Sequence, residues 1–236
     1  MGNKRENKPE KKKERKERHF LYDVVWGIGY ALGCIGFRQK VLYITPKAKE
    51  KIQGGALLVA NHVSFFDPVY MLMTVPYRRQ HFIATKEFFS TKFKKYLFEK
   101  VFLCISIDRS NVGTATFRTI VNELKKGEVV SMFPEGHINT KTDGSLDEFK
   151  SGVVLMALKS NCPIIPMYVH RRKSIFHRLI TVVGEPYEVS MQKANGSVIE
   201  YMQDAAKEIR EKEIELEQYY NEYCENKHKE SHKGDK

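Results

Sequence analysis

Cysteine is scarce in this sequence, and its placement excludes two common kinds of site. The four cysteines lie far apart along the 236 residues, at Cys34, Cys104, Cys162 and Cys224. This spacing matches neither a zinc site nor the disulfide framework of a small secreted domain. We therefore expect a chain that works in a reducing, cytoplasmic setting.

Several short sequence signatures are also missing. No G-x-S-x-G turn is present, so a covalent serine nucleophile on such a turn is not favoured. No helix-turn-helix, zinc-finger, RRM or KH signature occurs. The aromatic residues are not interleaved with the basic run at the start of the chain, as stacking on nucleic acid would require. We therefore expect no nucleic-acid partner.

Charge and apolar content are what the chain does have. Lysines and arginines number 40 against 29 aspartates and glutamates, which leaves a formal charge of +11. A balance of this sign indicates an anionic partner, but charge alone does not choose between nucleic acid, a phosphorylated small molecule and a membrane surface. The 42% of hydrophobic residues suffices for one core of good size, most simply a single domain with tails.

Residues 1–18 are almost wholly charged and cannot bury enough apolar surface to become ordered. We predict a disordered basic arm, which serves either as a solubilising tail or as an electrostatic tether to an anionic surface. Glu6 stands where a myristoylation signal needs serine or threonine, so lipidation is not predicted.

The segment 19–40 is apolar and aromatic, and its part Val24–Phe37 is uncharged. That part is shorter than the roughly 20 residues that a spanning helix needs, and no cleavage signal follows it. Tyr22, Trp26 and Tyr30 suit the headgroup level of a bilayer. We predict an interfacial or re-entrant helix at the membrane, and an ordinary core helix is the alternative.

Short apolar runs alternate with longer helical patterns between about residues 41 and 190. This alternation predicts an α/β domain with a mixed, mostly parallel sheet flanked by helices. The predicted strands are KVLYIT, ALLVA, HFIAT, VFLCISI, VVSMF, PIIPMYV and LITVVG. The predicted helices are KEFFSTKFKKYLFEK, GTATFRTIVNELKKG and FKSGVVLMALKSN. Residues 191–225 are predicted to form a C-terminal helix, and 226–236 a disordered tail.

His62 and Asp67 lie just after the predicted strand ALLVA, within the stretch NHVSFFDP. Ligands of such sheets bind beyond the carboxyl ends of strands, where loops lead into helices. A carboxylate can hold an imidazole in one tautomer while the other ring nitrogen takes a proton from a hydroxyl. The alternative is that Asp67, followed by Pro68, only caps a helix and that His62 is a loop residue.

Candidate binding residues follow three other predicted elements. Asp108 and Arg109 end the strand in ISIDRSN, and arginine can present a guanidinium fork to a phosphate, although a surface ion pair is the alternative. Glu135 and Gly136 form a turn after VVSMF, and the glycine permits close approach of the backbone to a ligand. Lys150 stands at the start of a helix, where its charge and free N–H groups favour an anion.

Taken in order, these stretches resemble the glycerolipid acyltransferases, above all the lysophosphatidate (1-acylglycerol-3-phosphate) acyltransferases. The shared series is NHVSFFDP, ATKEFF, ISIDRSN, FPEG, FKSG and CPIIPMYV, and it covers roughly residues 41–190. The ordered series is far more specific than any one of its members.

The resemblance implies that His62 is the general base and that Asp67 orients it. It also implies a set of substrate-binding residues, made up of Lys86, Arg109, Glu135, Gly136 and Lys150, in which Arg109 matches the phosphate-binding arginine. The family often continues FPEG with Thr-Arg, whereas this chain has His137-Ile138, so one phosphate contact is missing. Lys141, Lys150 or Arg109 would have to compensate for it.

The same resemblance implies direct transfer of an acyl group to the free hydroxyl of lysophosphatidate, without a metal or bound cofactor. The donor would be acyl-CoA or acyl carrier protein, and backbone N–H groups near Gly136 or in the His62 loop would stabilise the oxyanion. Another acceptor, such as glycerol 3-phosphate or a different lysophospholipid, is the main alternative. A nonenzymatic basic protein that binds membrane or nucleic acid is a further one. The expected location is the cytoplasmic face of the cell membrane.

Overall fold

A seven-stranded sheet forms the centre of the protein. The computed structural model describes residues 8–108, 113–141, 145–172, 177–193 and 197–233. The strands are β1 (Lys40–Tyr43), β2 (Ala56–Ala60), β3 (Gln80–Thr85), β4 (Ile105–Ile107), β5 (Val129–Met132), β6 (Ile164–Val169) and β7 (Ile180–Val183). Their order in the sheet is β1-β7-β6-β2-β5-β3-β4, and all neighbours are parallel except β6 and β7. The predicted mixed, mostly parallel sheet is confirmed.

Helices cover both faces of this sheet. They are α1 (Lys8–Phe37), α2 (Asp67–Thr74), α3 (Lys92–Tyr96), α4 (Thr114–Lys125), α5 (Gly152–Ser160) and α6 (Val198–Lys233). α4 ends before Gly127, whose φ of +85° is the left-handed conformation that glycine adopts without strain. α5 ends at Asn161, which also adopts this conformation, as the sequence predicts.

The position of β2 in the middle of the sheet explains its uninterrupted apolar sequence. Leu57 and Val59 enter a core cluster with residues of α4, α5 and α6, whereas Leu58 and Ala60 enter a second cluster with residues of α2. Successive side chains of a strand point to opposite faces, so a strand with helices on both sides needs apolar residues throughout.

The first and the last helix both extend further toward the chain ends than predicted. α1 begins at Lys8, inside the predicted disordered arm 1–18, and α6 continues to Lys233, through most of the predicted disordered tail. Lysine, glutamate and arginine are good helix formers, so a charged stretch readily extends a helix that apolar turns beside it have nucleated.

The segment between β3 and β4 is also more broken than predicted. A 3-10 turn at residues 86–89 precedes α3, and a wide helical turn at 97–101 follows it. The predicted strand VFLCISI is therefore shortened to β4, because its first residue closes the wide turn, which packs against α1.

α1 lies against the domain. The buried Tyr22 hydroxyl accepts a hydrogen bond from the backbone N–H of Gln80 at 3.4 Å, and the guanidinium of Arg79 donates to both carboxylate oxygens of Asp23 at 2.8 and 2.6 Å. By length and composition alone, Phe20–Phe37 is apolar enough to cross a membrane. These contacts fix the start of that apolar segment to the surface of the domain.

Candidate active site

The carboxyl ends of β2 and β5 bring two of the predicted site residues together. The two strands are parallel neighbours with Val59 opposite Met132, so the turns that follow them lie side by side. The backbone N–H of His62 donates to Oε1 of Glu135 at 3.1 Å. The backbone carbonyl of His62 accepts from the N–H of Asn139 at 2.6 Å. The loop that contains His62 is thus tied to the turn after β5.

Asp67 is fully buried and is the centre of the His62 loop. Its Oδ2 lies 2.9 Å from Nδ1 of His62 and accepts hydrogen bonds from the N–H groups of Val63 and Ser64, both at 2.7 Å. Because a carboxylate only accepts, Nδ1 of His62 carries the proton and Nε2 is left with a free lone pair. The Nε2 atom can therefore take a proton from a substrate hydroxyl.

The alternative interpretation of Asp67 as a simple helix cap does not match these contacts. Asp67 is the first residue of α2, and Phe66 occupies the N-cap position without a side-chain capping bond. The hydrogen bonds of the Asp67 carboxylate go back to the loop before the helix. Asp67 therefore shapes the loop and orients His62.

The ring of His62 is also held by an aromatic contact. It stacks on Phe133, with ring centroids 4.0 Å apart and planes inclined by 12°. Phe133 directly follows β5, so the end of a central strand places the ring that covers one face of the imidazole. Phe133 is the first residue of FPEG, but it was not predicted as a site residue, and its membership of that stretch is the signal that could have indicated it.

A cavity of about 490 Å³ opens beside His62, between β3, β4, β5, α4 and α5. Most of its wall is apolar, formed by Ile83, Ile107, Phe117, Met132, Phe133, Val153, Leu155 and Met156. The charged or titratable groups in this wall, among the residues that the structure describes, are His62 and Lys150. An apolar cavity with a base and a cation suits a ligand with a hydrocarbon part and an anionic part.

Gly136 and Lys150, two of the residues predicted to bind substrate, both line this cavity. Gly136 has a φ of +80°, and a Cβ added to it would lie 2.7 Å from Nζ of Lys150. Any other residue at position 136 would therefore be strained and would push the ammonium aside. The N–H of Gly136 donates to the carbonyl of Phe133 at 3.0 Å, so this N–H group is already engaged within its own turn.

Glu135 is buried behind the cavity wall, whereas contact with a substrate would require it to face the cavity. It is 2% exposed, and its Oε2 accepts hydrogen bonds from the side-chain amide of Asn139 at 2.8 Å and from the N–H of Asp147 at 3.1 Å. With the bond from His62, both carboxylate oxygens are engaged. Glu135 therefore positions the loops of the site, and it is absent from the described cavity wall.

Lys86 and Arg109 complete the predicted set. Lys86 pairs with Asp108 at 2.8 Å, is largely exposed, and follows Thr85, which lines the cavity. Arg109 lies outside the residues that the structure describes.

His137, the first of the two residues that replace the usual Thr-Arg, lies in a small polar network. His137 Nε2 lies 2.9 Å from Oδ2 of Asp147, and Lys141 Nζ lies 2.7 Å from the other carboxylate oxygen. The hydrogen bond from Lys141, followed by that from His137, holds the pKa of Asp147 below its usual range. Lys141 is thus engaged by Asp147, so Lys150 is the candidate in the cavity wall for the missing phosphate contact.

Comparison with known proteins agrees with this geometry. The sequence model described as Acyltransferase matches residues 43–170. A 1-acyl-sn-glycerol-3-phosphate acyltransferase of Bacillus subtilis (strain 168) is 26% identical over 137 residues, which cover 56% of this chain and 66% of the relative. The protein of the same description from Limnanthes douglasii is 33% identical over 126 residues, which cover 50% of this chain and 43% of the relative.

A solved structure has the same fold. The crystal structure of the 1-acyl-sn-glycerophosphate (LPA) acyltransferase PlsC from Thermotoga maritima superposes with a TM-score of 0.59 at 19% identity. The superposition covers 86% of this chain and 82% of that one. By sequence, this chain spans between about two fifths and two thirds of the length of the curated relatives it matches.

Proposed function

Because this chain belongs to the Acyltransferase family, we propose that it transfers a fatty acyl group from a thioester to the free hydroxyl of lysophosphatidate. The product is phosphatidic acid, an intermediate of phospholipid biosynthesis. The observation that supports this most strongly is the oriented His62–Asp67 pair in the wall of an apolar cavity that also contains Lys150. The curated relatives named above carry the same activity in their descriptions.

In the proposed reaction His62 is the general base. Its Nε2 takes the proton of the acceptor hydroxyl as the oxygen attacks the thioester carbonyl, and the Asp67 carboxylate stabilises the imidazolium that forms. Collapse of the tetrahedral intermediate breaks the carbon–sulfur bond, and the proton passes from His62 to the departing thiolate. The step needs no covalent acyl-enzyme, because the hydroxyl attacks the donor directly.

The remaining residues divide between binding and positioning. Lys150 in the cavity wall would contact an anionic group of substrate, and Arg109 is proposed to bind the acceptor phosphate on the basis of its place in ISIDRSN. The apolar wall would hold the acyl chain during transfer. Glu135 would act through His62 by fixing its loop.

The location that suits these substrates is a membrane surface on the cytoplasmic side. The exposed apolar side chains of α1 between Phe20 and Ile35 and the basic residues of 1–18 support contact with an anionic bilayer. Deletion of residues 1–18 should weaken vesicle flotation at low salt and have little effect at high salt, because salt screens the charge but not the apolar contact.

One assay tests the proposed reaction directly. Purified protein is supplied with acyl-CoA or acyl carrier protein as donor, and with lysophosphatidate, glycerol 3-phosphate or another lysophospholipid as acceptor. Formation of phosphatidic acid from lysophosphatidate, lost in the His62→Ala variant, is the expected result. Faster acylation of glycerol 3-phosphate would show that this molecule is the acceptor instead. It is tested because the exposed Ile138 stands where the family often has a phosphate-binding arginine.

A further inference from the structure

A series of aromatic rings runs from the end of α1, past the His62 loop, to the segment that contains α3. The neighbouring ring centroids are 6.4 Å apart for Phe37 and Phe66, 5.9 Å for Phe66 and Phe65, 6.5 Å for Phe65 and Phe88, 5.1 Å for Phe88 and Phe98, and 5.9 Å for Phe98 and Phe102. The series passes the site because two of its members lie between His62 and Asp67 in the chain.

Much of this aromatic surface faces solvent. Five rings of the series and of α3 are between 38% and 73% exposed, and we call them the aromatic face: Phe65, Phe66, Phe93, Tyr96 and Phe102. Isolated exposed rings are ordinary, but exposed rings in adjacent elements form an apolar surface that a soluble protein usually covers. The turn at 97–101 packs against α1, and Phe37 at the end of α1 contacts Phe66, so the aromatic face lies next to that helix.

The charge around the aromatic face indicates what covers it. Residues 86–100 contain five lysines and two glutamates, a net charge of +3. All residues of α3 are exposed, so Lys92, Lys94 and Lys95 surround Phe93 and Tyr96 with ammonium groups. Lysines next to exposed rings are typical of a surface that enters the headgroup region of an anionic bilayer.

We propose that the aromatic face is a second membrane-contact surface, which enters the headgroup region of an anionic phospholipid bilayer together with α1. In this position the rings between His62 and Asp67 hold the site at the lipid surface, and an amphiphilic acceptor reaches His62 without passing through bulk water. The lipid nature of the acceptor rests on the proposed function. The bilayer contact rests on exposure and charge and is tested without substrate.

The first experiment measures depth by fluorescence and exploits Trp26, the single tryptophan of the chain. A Trp26→Phe, Phe93→Trp variant is mixed with phosphatidylglycerol vesicles that carry bromine on the acyl chains. Quenching of the indole at position 93 is expected. A matched variant places the indole in α6 (Trp26→Phe, Ile199→Trp), where the native side chain is exposed to a similar degree, and should stay unquenched. An unquenched indole at position 93, together with quenched Trp26 in the unaltered protein, would overturn the proposal.

The second experiment tests the charge. Lys92, Lys94 and Lys95 are replaced together by glutamine, and binding to vesicles is measured by flotation. A basic residue near an anionic surface contributes about fivefold to partitioning, so about a hundredfold loss is expected on phosphatidylglycerol vesicles and little change on phosphatidylcholine. The control replaces the same number of exposed lysines on α6, namely Lys207, Lys227 and Lys229. Equal losses in both triple variants would mean that only total charge matters, which contradicts the proposal.

The third experiment asks whether a second copy of the chain covers the aromatic face instead. Sedimentation is compared for the unaltered protein and for a Phe93→Ser, Tyr96→Ser variant, without vesicles. The expected result is no change in mass, with about tenfold weaker vesicle binding for the variant. A dimer that the substitutions convert to a monomer would assign the face to self-association and overturn the proposal. Because none of these measurements uses acyl transfer, a failure here leaves the proposed reaction untouched.

Discussion

Two cavities lie at opposite ends of the central strands, and we call these ends the carboxyl edge and the amino edge of the sheet. The polar groups beside the two cavities are held differently. At the carboxyl ends of β2 and β5, buried Asp67 and Glu135 accept hydrogen bonds from the loops and fix His62 beside a cavity of about 490 Å³. At the amino ends of β2 and β6, a cavity of about 220 Å³ is lined by residues such as Tyr43, Ile52, Tyr77 and Pro163.

The amino edge has charged residues as well, but they lie in solvent. Lys47 and Glu185 approach only to 3.9 Å, and their side chains are 62% and 41% exposed, so this ion pair contributes little to stability. The difference shows that a buried carboxylate that accepts hydrogen bonds from loop N–H groups holds a site in place, whereas an exposed ion pair does not. The loops that lead into α2 and α5 lie at the carboxyl edge, which is where ligands of such sheets bind.

The largest effect of disturbing the carboxyl edge is expected at His62. His62→Ala should lower kcat by about 10²- to 10⁴-fold, the usual contribution of a general base, and leave the fold intact because the ring lies at the cavity wall. Tyr77→Phe at the amino edge is the matched control and should retain full turnover. The measurement is initial rates with purified protein under saturating donor. Near-normal turnover of His62→Ala would show that the two edges do not differ in chemistry.

A smaller effect is expected from Arg109, whose role is predicted from sequence. Arg109→Ala should raise KM for lysophosphatidate about ten- to a hundredfold and leave KM for the donor unchanged, because hydrogen bonds to a charged group contribute roughly 1.5–3 kcal/mol. Arg109→Lys should recover part of the loss, since an ammonium forms no bidentate fork. Arg118→Ala, which removes an exposed arginine of α4, is the control. An equal loss with an acceptor that lacks phosphate would contradict the phosphate-binding role.

Glu135→Gln tests whether a buried acid positions the site. The side-chain amide would bring an N–H₂ group to the place of one carboxylate oxygen. At Oε1 the N–H of His62 would lose its acceptor, and at Oε2 both Asn139 and Asp147 would lose theirs. We expect the free energy of unfolding to fall by about 1–3 kcal/mol, together with kcat, because the His62 loop loosens. Denaturant unfolding and initial rates measure both. Glu185→Gln at the amino edge should change neither, and unaltered kcat in Glu135→Gln would contradict the positioning role.

The sequence predicts the scaffold better than it predicts the parts played at the site. All seven strands follow from the apolar runs in the sequence. The spacing of His62 and Asp67 left a simple helix cap open as the alternative, and the family resemblance indicated that the two side chains pair. The role of Glu135 could not be predicted, because its carboxylate is engaged within its own loop by Asn139 and Asp147 and also by the N–H of His62, 73 residues away along the chain. Acidic residues in a turn look alike in sequence whether they face a ligand or an N–H group.

Several ends of helices and strands were also predicted wrongly, and each error has a physical cause. The charged ends of α1 and α6 lack the apolar spacing that marks a helix, yet they continue helices nucleated by their neighbours. The predicted strand VFLCISI is shortened because its first residue belongs to the wide turn at 97–101. This turn packs against α1, which is distant in sequence. Such tertiary contacts override local preference.

The last comparison concerns two buried glutamates, Glu135 and Glu213. Glu135 accepts three hydrogen bonds, whereas neither carboxylate oxygen of Glu213, on α6, has a partner among the described residues. Burial, and then the charge of Glu135, raise the pKa of Glu213 well above its usual value. A carboxyl group whose pKa is higher in the folded state favours folding below its unfolded pKa, near 4.5, and this contribution is lost as the pH rises.

Glu213→Leu should therefore stabilise the protein at neutral pH, since apolar groups of similar volume often replace a buried charge with a gain of up to a few kcal/mol. The gain should be larger at pH 8 than at pH 5, because the native carboxyl must either retain a proton or bury a charge as the pH rises. Urea unfolding at both values measures it. Glu211→Leu, at an exposed position of the same helix, is the control and should show no such pH dependence. A Glu213→Leu variant less stable than the native chain at pH 8 would mean that α6 holds this carboxylate as firmly as the site loops hold Glu135.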